Sequence, residues 1–175
     1  MAAFECSMLL TVSMDVVIRE LTAADVEQVR WALYTALAWN PKRQLPPVEV
    51  TLAHPQAARY HEGWGRHGDL GVVAEEDADV VGVAYCRVFT EDDHGHGYVD
   101  DETPELAVAV RDDSRGEGLG ARLMNALADT ARAAGFSRLS LSVDTDNPAL
   151  RLYERLGYQE LTTDEDGVRM IIDLE

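Results

Sequence analysis

Residues 115 to 121 read RGEGLGA and put glycine at positions 116, 118 and 120. Glycine adopts φ > 0 without a Cβ clash and lets the backbone come close to a ligand. A helix pattern starts at this loop, and a helix N-terminus offers unpaired N–H groups and a partial positive charge. The chemistry on offer is the holding of phosphate oxygens. A P-loop would end in Gly-Lys-Ser/Thr, where this chain has Gly120, Ala121 and Arg122. A dinucleotide fingerprint, G-x-G-x-x-A, is matched by Gly116, Gly118 and Ala121, with Asp144 placed as its ribose-binding acid. That fingerprint turns straight out of its strand, whereas the five residues RDDSR separate Val110 from Gly116. Only 55 residues follow Gly120, too few for the parallel sheet a dinucleotide needs. His94 and His96, in DDHGHG, have no Cys or third His at a ligand-like spacing, so no metal centre is expected. Their glycine neighbours predict a mobile loop.

The elements that must carry these residues follow from periodicity and turn chemistry. MDVVIREL is a first strand. TAADVEQVRWALYTALAW is a helix, with Thr22 and Asp25 as a capping-box-like pair. NPKRQLPP breaks the chain, and a weaker helix is expected from His54 to Trp64. LGVVAEE and DVVGVAYCRVF are strands joined as a hairpin through DAD. TEDDHGHGYVDDE is a long polar loop and ELAVAV, opened by Glu105, the next strand. Glu117 to Ala134 is a helix with Leu119, Leu123, Leu127 and Ala131 on one face, ended by Gly135. RLSLSV is a strand, NPALRLYERLG a short helix, and YQELTT with VRMIIDLE a closing hairpin. On that short helix Ala149, Leu152, Tyr153 and Leu156 share a stripe, with Tyr153 at its edge. The order is a mixed α/β domain with no internal repeat or linker.

Bulk properties bound the function. At 175 residues, 46% hydrophobic and 27% charged, the chain has the size and composition of one globular domain. It contains no run of about 18 apolar residues, so no membrane span is expected. Residues 1–13 lack the basic start of a secretory signal and read as an extension ahead of a domain at 14–175. Cys6 and Cys86 make no disulfide framework, and Cys86 reads as a reduced core residue, consistent with the cytoplasm. A net charge of −17 argues against nucleic acid as a partner and for a cationic amine or basic peptide. The acidic runs read equally as solvated surface.

RGEGLG also fits an R/Q-x-x-G-x-G/A signature. With ELAVAV before it and NPALRLYERLGY after it, the chain resembles the GNAT superfamily of acyl-CoA N-acyltransferases over about residues 14–175. The resemblance implies a mixed, mostly antiparallel central sheet flanked by helices, and acetyl-CoA as cosubstrate. The backbone of Val108, Ala109 and Val110 would pair with the pantetheine arm. The N–H groups of Arg115, Gly116, Glu117, Gly118, Leu119, Gly120 and Ala121 would cradle the pyrophosphate, and Asn147 would touch the pantetheine or a phosphate. Arg111, Arg115 and Arg122 flank the loop, which leaves Asp112 and Asp113 to point outward. Tyr153 matches the family's general acid, aimed at the sulfur. Glu105 stands where many members carry the general base, one residue off the register of some of them. Trp31, Tyr34, Trp39 and Trp64 fall on the acceptor side or pack beneath it, and the acidic loop Thr90–Thr103 would form a flexible lip there.

The resemblance implies an N-acetyltransferase acting on a primary amine, small-molecule or peptide, by direct attack in a ternary complex. A silent acyl-CoA-binding module is the alternative, and a homodimer is compatible with either.

Overall fold

The computed structural model describes residues 16–175, so the extension expected at 1–13 and Met14 lie outside the described residues. Seven strands form one sheet in the order β1-β2-β3-β4-β5-β7-β6. They are β1 (Val17–Glu20), β2 (Leu70–Glu76), β3 (Asp79–Arg87), β4 (Glu105–Val110), β5 (Arg138–Val143), β6 (Gln159–Asp164) and β7 (Gly167–Asp173). All neighbours are antiparallel except β4 and β5, which are parallel. The mixed, mostly antiparallel sheet is the one expected. No helix among the described residues is long and apolar enough to cross a membrane.

Helix α1 (Val26–Leu37) lies on one face of the sheet, where Val29 and Ala32 meet Val73, Val83, Tyr85 and Ala109. On the opposite face α4 (Leu119–Ala133) buries Leu119, Leu123, Leu127 and Ala131 against Val72, Ala74, Ala84, Cys86 and Leu106. The predicted stripe is therefore the buried one, with Met124 added to it. Gly82 lets this helix lie close, since a Cβ there would stand 2.6 Å from Leu123 Cδ1. Gly135 ends α4 at φ 93°, and the Phe136 N–H donates to the Ala131 carbonyl, closing a left-handed cap. Cys86 is buried, and burial pushes its thiol up to about 12, so it is an inert core residue.

Several boundaries differ from expectation for local reasons. The helix start expected at Glu117 moves to Leu119, because Gly118 is a left-handed cap at φ 79°. The single helix expected from His54 to Trp64 is replaced by α2 (Val48–Leu52) and α3 (Pro55–Ala58). Pro46 and Pro47 lead into α2, His54 caps α3 by accepting from the Gln56 N–H, and Gly63 and Gly65 at positive φ stop any continuation. Only half of the expected capping box forms at α1. Asp25 accepts from both the Thr22 N–H and hydroxyl, while Thr22 Oγ1 accepts from Ala24. Asp25 also takes a forked pair from Arg19, at 2.9 and 3.1 Å, which holds its carboxyl down to about 2. The hairpin through DAD is tight, with Asp77 and Ala78 both at positive φ. Helix α5 (Leu150–Arg155) is shorter than the pattern NPALRLYERLG.

Candidate active site

The sheet opens where its one parallel pair begins. β4 pairs with β3 along its length, from Glu105 opposite Arg87 to Val110 opposite Gly82. On its other edge, among the described residues, it pairs with β5 at Glu105 and Ser140 and then diverges. The Ser140 N–H closes this junction on the Pro104 carbonyl at 3.0 Å. Val108, Ala109 and Val110 thus border a gap on the β5 side, where an extended ligand can add as a strand would. The half-buried Val108 and Val110 belong to the α4 face, and Ala109 to the α1 face.

At the far end of the gap the chain turns through a short 3-10 segment, Asp112–Ser114, into the glycine loop. Gly116 and Gly118 have φ 84° and 79°, and a Cβ on either would meet nothing within 4 Å. Their glycine identity answers to backbone conformation and to open space in front of the loop, not to packing. That open, N–H-rich bend ahead of α4 suits the pyrophosphate of a coenzyme A thioester. Gly120 does answer to packing: its Cβ would lie 3.2 Å from Leu152 and 3.9 Å from Val110. The end of β4, the start of α4 and helix α5 converge there.

The flanking charges are arranged differently from expectation. Asp112 and Asp113 are exposed, as expected, but they also hold the arginines. Arg111 pairs with Asp113 at 2.6 Å and Arg115 with Asp112 at 2.9 Å, while Arg122 reaches back to the Val16 carbonyl at 3.1 Å. The cationic charge beside the loop is therefore partly neutralised. Asn147 begins a turn in which its Oδ1 accepts from the Ala149 N–H at 2.9 Å. It borders a surface cavity of about 480 Å³ with Arg151 and Glu154.

Tyr153 is buried on α5, its ring tilted against Tyr158 with centroids 6.1 Å apart. Burial pushes its phenol up to about 12, so it stays protonated at neutral pH. Glu105 is 4% exposed at the point where β4 and β5 part. Its Oε1 accepts from the Tyr60 hydroxyl at 2.6 Å, and its Oε2 has no partner among the described residues. Burial raises the Glu105 pKa, and the Tyr60 hydroxyl and then the Gly97 N–H oppose that shift.

Two features escaped sequence reasoning. The first is the buried clamp of Arg87 and Asp69, joined by a forked pair at 2.7 and 2.8 Å with both side chains 1% exposed. Arg87 also donates to the carbonyls of Arg59 and Glu62, so it fastens the segment that carries Tyr60. The second is the organisation of loop Thr90–Thr103, expected to be mobile. It is a strap across the sheet face, tied by Arg59 to the His94 carbonyl and to Asp93, by Arg169 to the His96 carbonyl, and by Arg138 to Asp100. Lone arginines far apart in sequence carried no signal of either.

The aromatic residues divide. Trp64 packs edge-on against Tyr85 and donates to the Thr22 carbonyl, and Trp31 packs in the same cluster. Trp39 bonds Asp144 at 2.5 Å, just past the end of β5, and Tyr34 bonds the Pro46 carbonyl. Trp64 and Trp31 are packing, while Trp39 stands at the mouth of the gap.

A parallel pair that parts, a glycine bend on a helix N-terminus, and a buried tyrosine and glutamate are the features that a CoA-thioester transferase would use. Residues 30–158 match the model of the Acetyltransferase (GNAT) family. The chain is 32% identical over 148 residues to the L-methionine sulfoximine/L-methionine sulfone acetyltransferase of Pseudomonas paraeruginosa, covering 83% of this chain and 81% of that one. Among solved structures it is similar to the PaiA N-acetyltransferase of Thermoplasma acidophilum in complex with coenzyme A, with TM-score 0.65, 15% identity, and 91% and 99% of the two chains covered. It is similar also to yncA of Salmonella typhimurium, solved with acetyl-CoA, with TM-score 0.64, 24% identity, and 92% and 95% covered. The chain belongs to the GNAT acetyltransferase family. It is an acetyltransferase of that type, which sets aside the silent binding module.

Proposed function

We propose that this enzyme transfers the acetyl group of acetyl-CoA to the primary amine of a small molecule of the amino-acid class, by direct attack in a ternary complex. The catalytic domain is assigned to residues 14–175. The reading rests above all on the gap between β4 and β5, with Glu105 at its closed end and the glycine loop at its open end. Val108, Ala109 and Val110 bind the pantetheine arm by strand-like pairing. The N–H groups from Arg115 through Ala121 bind the pyrophosphate, and Asn147 donates to the same ligand. Acetyl-CoA as donor is supported by the two neighbours solved with CoA or acetyl-CoA. The acceptor class is supported by the name of the Pseudomonas relative, which narrows the expected cationic amine to the ammonium group of an amino acid.

An amine near pKa 10 is neutral at pH 7 only at a cost of about 4–5 kcal/mol, so a base must take its proton before attack. Glu105 accepts that proton, and the neutral nitrogen forms the new C–N bond at the thioester carbon. As the C–S bond breaks, Tyr153 protonates the departing thiolate and recovers its proton from solvent. The ammonium nitrogen gives up two protons in all, one balancing the thiol and one released.

The test is a screen of amines for thiol release from acetyl-CoA, with L-methionine sulfone and L-methionine sulfoximine first. Tyr153→Phe should then lower kcat by about 10²-fold, the scale of losing a positioned proton donor. Thiol release with no amino-acid acceptor would overturn the acceptor class. An unchanged kcat would make Tyr153 a packing residue.

A further inference from the structure

We propose that Tyr60 is the positioning residue of the general base, and that Gly95 and Gly97 are glycine because the strap closes over the Tyr60–Glu105 pair. This rests on the reading of Glu105 given above and goes beyond it. Tyr60 follows α3, 45 residues before Glu105 in the chain, and its hydroxyl donates to Glu105 Oε1 at 2.6 Å. The same hydroxyl accepts from the His96 N–H at 3.2 Å, so both its proton and its lone pair are oriented. The ring stands edge-on to Phe89 with centroids 5.2 Å apart, and Arg87 holds the preceding carbonyl of Arg59 at 2.8 Å. Tyr60 is thus fixed from three sides. With Oε1 occupied by the Tyr60 hydroxyl, Oε2 is buried under the strap beside Gly95 and Gly97.

The strap shows the same design. A Cβ on Gly95 would run into the Tyr60 hydroxyl and come within 2.6 Å of Glu105 Oε2. A Cβ on Gly97 would stand 2.8 Å from Glu105 Cγ and Cδ and 2.8 Å from the Leu141 carbonyl carbon. Neither glycine has a positive φ among the backbone outliers, so space rather than conformation excludes a side chain. The cavity beside it, about 200 Å³, is lined by Gln56, Arg59, His94, Gly95 and His96. Around Glu105 stand Tyr60 from the segment after α3, Tyr85 and Arg87 from β3, His94, His96 and the Gly97 N–H from the strap, and Ser140 from β5.

Tyr60→Phe keeps the ring and deletes the hydrogen bond. The direct readout is an NMR titration of the Glu105 side-chain carboxyl carbon in the full chain, which needs no acceptor. The Glu105 pKa should rise by about one unit, the scale of losing one hydrogen bond to a charged group. The acidic limb of kcat/KM should move up with it while the KM for acetyl-CoA stays unchanged. Gly95→Ala, which displaces the Tyr60 hydroxyl without removing it, should shift the titration the same way and serves if Tyr60→Phe fails to fold. An unmoved Glu105 titration in a folded variant would overturn the proposal. Glu105→Gln separates the two readings: if it keeps the parental rate, Glu105 is not the base, and the failure lies with the functional reading and not with the pair.

Discussion

Glu105 carries a cost that the rest of the fold must offset. A carboxyl buried at 4% exposure favours the neutral form, and its pKa is raised above the ordinary value of 4.5 by that burial. The folded chain then holds this proton more tightly than the unfolded one. Its contribution to stability is complete below the unfolded value and is lost as pH rises through the folded value. Glu105→Gln should therefore be more stable than the parent at pH 8, with the difference fading toward pH 4. Thermal midpoints at the two pH values check this, and a variant less stable at pH 8 than the parent would show that the ionised form is well accommodated. Asp25 is the opposite case. Arg19 and Thr22 hold it down to about 2, so its stabilisation is present at neutral pH and lost only in strong acid.

At the scale of elements, the proposed cofactor site rests on a junction and not on any one strand or helix. β4 leaves β5 after one paired position, and α4 starts where Gly118 turns the chain left-handed. Gly118→Val tests the junction, since a β-branched residue at φ 79° is strained and would project into the open space before the loop. CoA affinity should fall at least about tenfold, or about 1.4 kcal/mol. Calorimetry on a variant whose thermal unfolding remains cooperative is the measurement. Unchanged affinity would remove the loop from the binding site.

Over the whole molecule, a net charge of −17 makes the folded chain repel itself, and the ion pairs along its surface are too exposed to compensate by much. Salt screens that repulsion within about 8 Å at physiological strength. Raising NaCl from low concentration to about 0.5 M should lift the thermal midpoint by about 2–4 °C, equivalent to about 1 kcal/mol for a chain of this size. A midpoint that falls would mean that paired arginines such as Arg138 with Asp100 outweigh the net repulsion.

The sequence by itself determined what short-range periodicity and turn chemistry encode. ELAVAV, RLSLSV and LGVVAEE were readable as strands to the residue, and the stripe Leu119–Leu123–Leu127–Ala131 as the buried face of α4. Glu105 and Tyr153 were readable as candidates because they stand inside those local patterns. The short helices before β2 were not, because proline and a histidine cap divide them with no apolar periodicity to reveal the break. Tertiary structure alone decided the rest. It parted β4 from β5, brought Tyr60 to Glu105 across 45 residues, buried Arg87 on Asp69 and pinned the acidic strap. Each of these joins groups distant in sequence, and a single hydrogen bond or ion pair leaves no period in the chain for a sequence to display.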